Sequence, residues 1–289
     1  MLIARARILY RDDNDFSLEI NNTVYALDAT TIDLCLSVFW WAKFRKKKAA
    51  IKLHKLLDLR GDIPTFIQIT DGLTHEVNIL DQIAFEPGAF YVMDRGYFDL
   101  KRLFRIHLAQ AFFVIRARVD LDFRRIRSAK INKDSGLRCD QSIKLNGFYS
   151  ALKYPQKLRR VKFYDKDQDK TYVFLTNNFD LEPLDIALLY KYRWKVELFF
   201  KWIKQHLKIK SFWGESENAV KTQIWIAICT YLLAAITKKE LRIERNLYEI
   251  LQILSVSAFD KTPLNQILNQ YQLQISSNPS SNQLSLLDL

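Results

Sequence analysis

The sequence predicts an α/β fold, and three observations support this prediction. Up to Ala117, short apolar and β-prone runs end at turn residues, and helical patterns separate the later runs. Residues 119–181 contain further short strand-like runs that alternate with polar turns. From Glu182 onward the apolar spacing becomes helical. We therefore expect a strand-rich first part, a β-rich insertion and a helical C-terminal part.

The elements before the insertion follow from their residue types in order. Strands are predicted at TVYAL (23–27), AAIKLHKLLDL (49–59), TFIQI (65–69), AFYVM (89–93) and FFVIRA (112–117). The turn residues at 60–62 join the second and third of these strands as a hairpin. The apolar spacing predicts helices over 74–83 and 98–110. The predicted order up to Ala117 is β, β, β, α, β, α, β.

The C-terminal part is predicted to begin with one long helix from about Glu182, because Pro183 suits a first helical turn. Further helices are expected near 218–238 and 246–256, followed by a tail whose polar composition predicts disorder. The predicted divisions are a core of residues 1–118 and 182–237, a β-rich insertion at 119–181, a helical region at 238–275 and the tail at 276–289.

Charge and cysteine usage narrow the classes of function. Lys and Arg outnumber Asp and Glu by 44 to 32, which gives a net charge of +12 and favours a polyanionic partner. Three widely separated cysteines, Cys35, Cys139 and Cys229, favour reduced thiols in an intracellular protein. The longest apolar run, at 224–236, is too short to cross a bilayer, so we expect a buried helix and no membrane partner.

Three acidic residues are the candidate catalytic groups. Asp28 and Asp94 each follow a strand-like run, and Glu197 lies in the long predicted helix. Taken singly, each could be a turn, cap or solvated helix residue. Together they can converge, because ligands gather at the carboxyl ends of strands in α/β sheets. Carboxylate clusters select Mg²⁺ or Mn²⁺, and a pair of such ions supports phosphodiester cleavage.

The helix around Glu197 carries a specific pattern of cations. Tyr190, Arg193, Glu197 and Lys204 follow the spacing Y-x2-R-x3-E-x6-K, which places them within an arc of roughly 60° on one helix face. Arg193 and Lys204 are predicted to hold DNA phosphates, and Tyr190 to donate to a phosphate or position Glu197. The alternative is a surface ion-pair ladder. Further DNA contacts are predicted at Arg95, Lys201, Arg159 and Arg160.

The segments D-A-T-T-I at Asp28 and Y-V-M-D-R-G-Y at Asp94, together with this Y-R-E-K spacing, resemble the DDE transposases of bacterial insertion sequences. The most similar group is the insertion-sequence-4 family, which includes the transposon-five transposase. The resemblance spans about residues 24–254. It implies a ribonuclease H-like, retroviral integrase-like core with a β-rich insertion and C-terminal helices. It also implies that Asp28, Asp94 and Glu197 bind two Mg²⁺ or Mn²⁺ ions for cut-and-paste DNA transposition.

The chain departs from this resemblance at two places. Only 27 residues precede Asp28, so we expect the N-terminal DNA-binding region of the family to be missing. No tryptophan lies between Asp94 and Tyr190, where a relative holds a flipped base in a hairpin route, and Tyr164, Tyr172 and Phe174 are the candidate substitutes.

The remaining expectations concern partners and alternatives. The partners implied are double-stranded DNA, as transposon ends and target, and a second copy of the chain in a synaptic complex. The location implied is the bacterial cytoplasm, at the nucleoid. Two other functions stay open: a stand-alone nuclease of the same fold, and an inactive truncated remnant that only binds DNA.

Overall fold

One mixed β-sheet joins ten strands in the part of the chain that the structure describes. The structure is a computed structural model, and it describes residues 1–13, 20–45, 48–207, 209, 211–257 and 259–268. The chain divides into two compact units, one of residues 11–225 and one that combines residues 1–10 with 226–289. The tail predicted to be disordered, at 276–289, lies outside the described residues.

The described part of the chain contains ten β-strands and seven α-helices. The strands are β1 (Val24–Leu34), β2 (Lys43–Arg45), β3 (Lys48–Asp58), β4 (Ile63–Asp71), β5 (Phe90–Met93), β6 (Phe112–Arg116), β7 (Phe123–Ser128), β8 (Leu137–Leu145), β9 (Leu158–Asp165) and β10 (Lys170–Thr176). The α-helices are α1 (Leu2–Leu9), α2 (Leu100–Leu108), α3 (Phe148–Lys153), α4 (Pro183–Tyr192), α5 (Trp194–His206), α6 (Glu217–Glu240) and α7 (Leu247–Ser257). Short 3₁₀ helices lie at Glu76–Gln82 and Arg95–Tyr97, among other places.

The sheet has the strand order β2-β3-β1-β5-β6-β10-β9-β8-β7, and β4 also pairs with β3. Strands β1, β5 and β6 run parallel to one another, whereas β3 and β10 flank them in antiparallel pairings. The predicted hairpin is present as β3 and β4. The strands of the 119–181 region do not form a second sheet, because β10 hydrogen-bonds directly to β6.

The mixed α/β class is confirmed, and the strands predicted before Ala117 are present. The prediction that Asp28 ends its strand is wrong. β1 continues to Leu34, because its second half pairs with β3 alone after its parallel pairing with β5 stops at Leu27. Residues 76–82 form a 3₁₀ helix inside the predicted helix at 74–83.

The prediction of one uninterrupted helix from Glu182 is also wrong. The helix is divided at Arg193 into α4 and α5. At the junction the hydrogen bonds span three residues, from the Arg193 N–H to the Tyr190 carbonyl and from the Val196 N–H to the Arg193 carbonyl. This tighter turn is the local 3₁₀ pattern that often marks a helix junction.

Successive side chains along the central strands point alternately to the core face of the sheet and to the face that carries the candidate site. Leu27 and Met93 are paired in register and belong to one hydrophobic cluster, in which Tyr25 and Tyr91 also lie. Successive side chains in a strand point to opposite faces of the sheet. Asp28 and Asp94, which follow Leu27 and Met93, are therefore directed to the opposite face of the sheet. On that face α5 packs on β1 and α4 packs on β5.

The smaller unit has its own apolar cluster, which includes Ile243, Ile250 and Ile253. The helices predicted near 218–238 and 246–256 are present as α6 and α7. The apolar run at 224–236 is predicted to be too short to cross a bilayer, but the helix that contains it, α6, has 24 residues and is long and apolar enough to do so by length and composition. Half of its most apolar stretch is buried inside the protein.

Candidate active site

Asp28 and Asp94 occupy equivalent places in neighbouring strands. Each directly follows a member of the Leu27–Met93 register pair, so both lie on the sheet face that carries α5. A backbone N–H fixes one oxygen of each carboxylate: Ala29 donates to Asp28 Oδ1 and Gly96 donates to Asp94 Oδ1, both at 2.8 Å. The Gly96 contact makes Asp94 the N-cap of the 3₁₀ helix Arg95–Tyr97.

Arg193 connects the helix acid to a strand acid. Its Nη1 donates to Asp28 Oδ2 at 2.9 Å, and its Nη2 donates to Glu197 Oε1 at 2.7 Å. The Arg193 side chain is only 15% exposed, so both contacts lie in a partly desolvated place where charge-assisted hydrogen bonds are strong. The helix junction at Arg193 thus coincides with the residue that holds two of the three predicted catalytic acids together.

The electrostatics show that the acids share one environment. Burial raises the pKa of Asp28 to about 6, and the charge of Arg193 and the Ala29 N–H oppose this rise. The negative charges of Asp94 and Glu197 raise the pKa of Asp28 further. Both acids are therefore close enough to repel the Asp28 carboxylate.

One cavity of about 530 Å³ collects the predicted residues. Its lining includes all three acids, Asp28, Asp94 and Glu197, with Arg193, Lys201 and Lys204. Lys204 Nζ donates to Thr30 Oγ1 and to the Thr31 carbonyl, and these contacts fix α5 against β1. Lys201 lies on the same helix and is exposed. Six of the predicted residues thus reach the cavity from α5, from the junction before it and from the two central strands.

Tyr190 lies beside this group in a second cavity. Its ring packs against Phe174, with ring centroids 4.7 Å apart, and the Arg193 guanidinium lies 5.6 Å from its ring centroid. This second cavity, of about 600 Å³, is also lined by Arg193, Tyr164 and Tyr172. The helix break at Arg193 lies between Tyr190 and Glu197, so the four residues do not share one continuous helix face. Tyr190 nevertheless remains close enough to Asp94 for that negative charge to raise the pKa of Tyr190.

Three other predicted DNA contacts lie elsewhere in the structure. Arg159 is 5% exposed and forms a two-bond ion pair with Asp140, so its guanidinium is bound within the fold, which argues against the predicted DNA contact. Arg160, the next residue, is partly exposed and donates to Gln141 Oε1 at 3.1 Å. Arg95 is exposed and lines a different cavity, with Arg118.

A buried lysine beside the acids has no signal in the sequence. Lys55 is the cross-strand neighbour of Asp28 and is 1% exposed. Its Nζ lies 2.8 Å from the Phe199 ring centroid and has no hydrogen-bond partner among the described residues. Burial lowers the pKa of Lys55 well below its ordinary value, although the charges of Asp62 and Asp28 oppose this. Only the strand register identifies this residue, because lysine in an alternating strand normally predicts a solvent-facing position.

The donor chemistry of the cavity fits divalent metal ions. Three carboxylates supply hard oxygen ligands of the type that Mg²⁺ and Mn²⁺ prefer. Within the described residues, no three His, Cys, Asp or Glu side chains are arranged to enclose one ion, and the Arg193 guanidinium bridges two of the acids. The residues therefore match such ions by chemistry and by sharing one cavity.

The chain is similar to known proteins over most of its length. The family described as "Transposase DDE domain" matches residues 21–233. The "Putative transposase y4zB" of Sinorhizobium fredii is 33% identical over 245 residues, which are 83% of this chain and 68% of that protein. The "Probable transposase for insertion sequence element IS5377" of Geobacillus stearothermophilus is 28% identical over 219 residues, which are 75% of this chain and 57% of that protein.

A third relative and a solved structure add to this comparison. The "Putative transposase for insertion sequence element IS4SA" of Synechocystis is 27% identical over 73% of this chain and 59% of that protein. The fold is similar to that in a cryo-EM structure of the piggyBac transposase synaptic complex with hairpin DNA, with a TM-score of 0.50 and 10% identity. That similarity covers 90% of this chain and 55% of the piggyBac chain.

Proposed function

Because this chain belongs to the transposase DDE domain family, we propose that it cleaves the ends of an insertion sequence and joins them to target DNA. The proposed reaction is the cut-and-paste transposition that is general for the family, and it combines phosphodiester hydrolysis with transesterification. The chain spans 57–68% of the length of the curated relatives it matches. The proposal concerns the chemistry of the catalytic part.

The observation that carries this proposal is the shared cavity of Asp28, Asp94 and Glu197. These three acids come from two strands and a helix that are far apart in sequence, and their spacing in the fold follows from the parallel pairing of β1 with β5. A surface ion-pair ladder on α5 would not involve Asp28, yet Asp28 is one of the two acids that Arg193 holds.

We propose Asp28, Asp94 and Glu197 as the holders of two Mg²⁺ or Mn²⁺ ions, which when bound would activate the attacking oxygen and stabilise the leaving oxygen. Arg193 and Lys204 would bind the phosphates that flank the scissile bond. Arg193 is placed to exchange its carboxylate partners for a phosphate, because its planar guanidinium binds either group with paired hydrogen bonds. Lys201, exposed on the same helix, would add a further phosphate contact.

The partner that we propose is double-stranded DNA, both as element ends and as target. The net charge of +12 supports this, because phosphate neutralisation releases counterions and drives binding. The similar piggyBac structure is that of a synaptic complex, and by analogy we propose that two copies of this chain act together. We propose that the protein acts at the nucleoid in the bacterial cytoplasm.

Replacing Asp94 with Asn tests the proposed chemistry. The variant should lose Mg²⁺-dependent nicking of a labelled duplex end and keep the parent's DNA affinity or exceed it, because it removes one negative charge. A pre-cut 3′ end offered with Mn²⁺ and a target plasmid then separates transposase from nuclease, because only the transposase forms a joined product. Parent-like cleavage by Asp94→Asn would contradict the assignment, and a parent that nicks without joining would show a stand-alone nuclease.

A further inference from the structure

A fourth carboxylate lies beside Asp94. Glu76 is the first residue of the 3₁₀ helix Glu76–Gln82, which contacts the 3₁₀ helix that follows Asp94. Glu76 Oε2 and Asp94 Oδ1 both lie within 3.1 Å of the point that a Cβ atom on residue 96 would occupy. Gly96 therefore lies between these two carboxylates, and a Cβ atom at this position would require them to shift by a few tenths of an ångström.

Tyr97 is a buried tyrosine near the same acids, and its hydroxyl is unsatisfied in the described structure. The residue is 0% exposed, and its hydroxyl is buried without a hydrogen-bond partner among the described residues. Burial raises the pKa of Tyr97 well above its ordinary value, and the negative charges of Asp28, Glu76 and Asp94 raise it further, whereas the charge of Arg193 lowers it. A buried hydroxyl without a partner costs about 1–3 kcal/mol, so its retention among three carboxylates needs a reason.

Another tyrosine shows what burial alone does. Tyr154 is also 0% exposed, and its hydroxyl is likewise buried without a partner in the described part of the chain. Its pKa is raised by burial, and no carboxylate contributes to that rise. The two tyrosines therefore differ in that only Tyr97 has acids close enough to raise its pKa.

Glu76 also has a cationic neighbour. Its cationic neighbour is Lys52, whose Nζ lies 3.8 Å away, which is too long for a good hydrogen bond, and that ammonium donates instead to the Thr74 carbonyl at 2.9 Å. Burial is the main cause that raises the pKa of Glu76; the charge of Lys52 lowers this pKa, and the charge of Asp94 raises it by a smaller amount. The Glu76 carboxylate thus lies between a cation and another acid, and an ion pair with Lys52 is the structural alternative to a role at the site.

We propose that Glu76 and Tyr97 are positioning residues of the catalytic site. Glu76 adds a fourth carboxylate beside Asp94, and the Tyr97 hydroxyl, which has no partner in the described structure, would donate to this acid group when a divalent cation is bound, so that both residues set how tightly the site holds the cation. This inference rests on the proposed function, because it assigns the ligand of that site as a hard divalent ion. Residues that support metal ligands in this way typically change metal affinity by about 10–100-fold when they are replaced.

The test is a Mn²⁺ titration of the purified full chain without DNA, followed by free-ion electron paramagnetic resonance, with thermal melting to verify folding. Glu76→Gln should weaken Mn²⁺ affinity by about tenfold or more, Glu76→Asp should recover part of it, and Tyr97→Phe should weaken it by about tenfold. Tyr154→Phe is the matched control for Tyr97 and should bind Mn²⁺ as the parent does.

Lys52→Met gives a test that leaves Glu76 itself intact. If Glu76 acts on the cation, removing the nearby ammonium should tighten Mn²⁺ binding, because the acid group becomes more negative. If Glu76 only anchors a turn through Lys52, Lys52→Met should weaken binding as Glu76→Gln does, and this result would overturn the proposal. Parent-like Mn²⁺ affinity in Glu76→Gln, or a parent without measurable Mn²⁺ binding, would also overturn it. Parent-like Mn²⁺ affinity in Tyr97→Phe would show that Tyr97 has no positioning role.

The proposed function is judged separately, by cleavage in Asp94→Asn. Loss of cleavage in that variant together with parent-like Mn²⁺ binding in Glu76→Gln would refute the positioning role and leave the transposase chemistry in place. Parent-like cleavage in Asp94→Asn would refute the catalytic assignment on which the positioning role depends.

Discussion

Replacing Arg159 with Ala should destabilise the fold and leave specific DNA contacts unaffected. Arg159 Nε and Nη2 each donate to an oxygen of Asp140 at 2.9 Å, and Nη1 donates to the Leu181 carbonyl at 2.6 Å. The two side chains are 7% and 10% exposed. Removing one member of such a buried pair typically costs about 3–5 kcal/mol, because the other charge stays buried without a counterion. We expect the free energy of unfolding to fall by about that amount.

The neighbouring Arg160 provides a matched control. Arg160 and Arg159 are consecutive in β9, so their side chains point to opposite faces of the sheet. Arg160 Nη1 contacts Cys139 Sγ and Gln141 Oε1, both neutral, at 3.1 Å. Arg160→Ala should therefore lower the free energy of unfolding by only about 1 kcal/mol. If Arg160 binds a phosphate, as predicted from the sequence, the variant should reduce the salt dependence of DNA binding by about one contact.

The assay is urea unfolding followed by tryptophan fluorescence, together with fluorescence anisotropy of a labelled duplex at several salt concentrations. A double variant, Arg159→Met with Asp140→Leu, should recover most of the stability that Arg159→Ala loses, because no charge is left buried. The reasoning would be refuted if Arg159→Ala unfolded within about 1 kcal/mol of the parent while its DNA affinity fell, since a measurable buried-pair cost is required.

Three further outcomes follow from particular residues. Lys204→Ala should weaken DNA binding and lower its logarithmic salt slope by about 0.9, which anisotropy at several salt concentrations measures; an unchanged slope would count against a phosphate contact. His54 is buried and its pKa is lowered to about 4, by burial first and then by Lys52, so its contribution to stability is present above pH 6.5 and is lost as the pH falls toward 4. Urea unfolding at pH 7 and pH 4 measures how far the free energy of unfolding falls between these two values. This fall should be about 3 kcal/mol smaller in His54→Leu than in the parent, and an equal fall in both proteins would exclude this effect. Gly136→Ala should destabilise by about 2 kcal/mol, because Gly136 has φ of 89° and an added Cβ would lie 2.6 Å from the Tyr164 carbonyl oxygen; a parent-like melting temperature would contradict this.

The central strands could be predicted because their residues give a strong local signal. The runs at 89–93 and 112–117 are short, apolar and bounded by turn residues, and both strands are buried in the sheet. The acids Asp28, Asp94 and Glu197 could be proposed from their relation to these elements. Their convergence needed the parallel pairing of β1 with β5, which a local pattern does not specify.

The sequence could not predict features that depend on distant partners. The second half of β1 is more polar than the first half and pairs only with β3. Its sequence therefore resembles a turn after Asp28. Arg159 has the local context of a basic surface run, and only the distant Asp140 makes it a buried residue. The helix break at Arg193 could not be predicted either, because the apolar stripe continues through it. The contact that accompanies the break is the ion pair of Arg193 with Asp28 on β1.

The pairing of β10 with β6 limits how the protein can be shortened. The edge of β6 that faces β10 runs through Val114 and Ile115, and the Phe113 N–H beyond it is capped by Asn177 Oδ1 at 2.9 Å. Deleting residues 119–181 would expose this edge as an apolar strand with unpaired hydrogen-bonding groups, which is a template for intermolecular pairing. A minimal catalytic fragment would therefore need β10 or a replacement strand to stay monomeric, and an engineered deletion should stop short of Lys170.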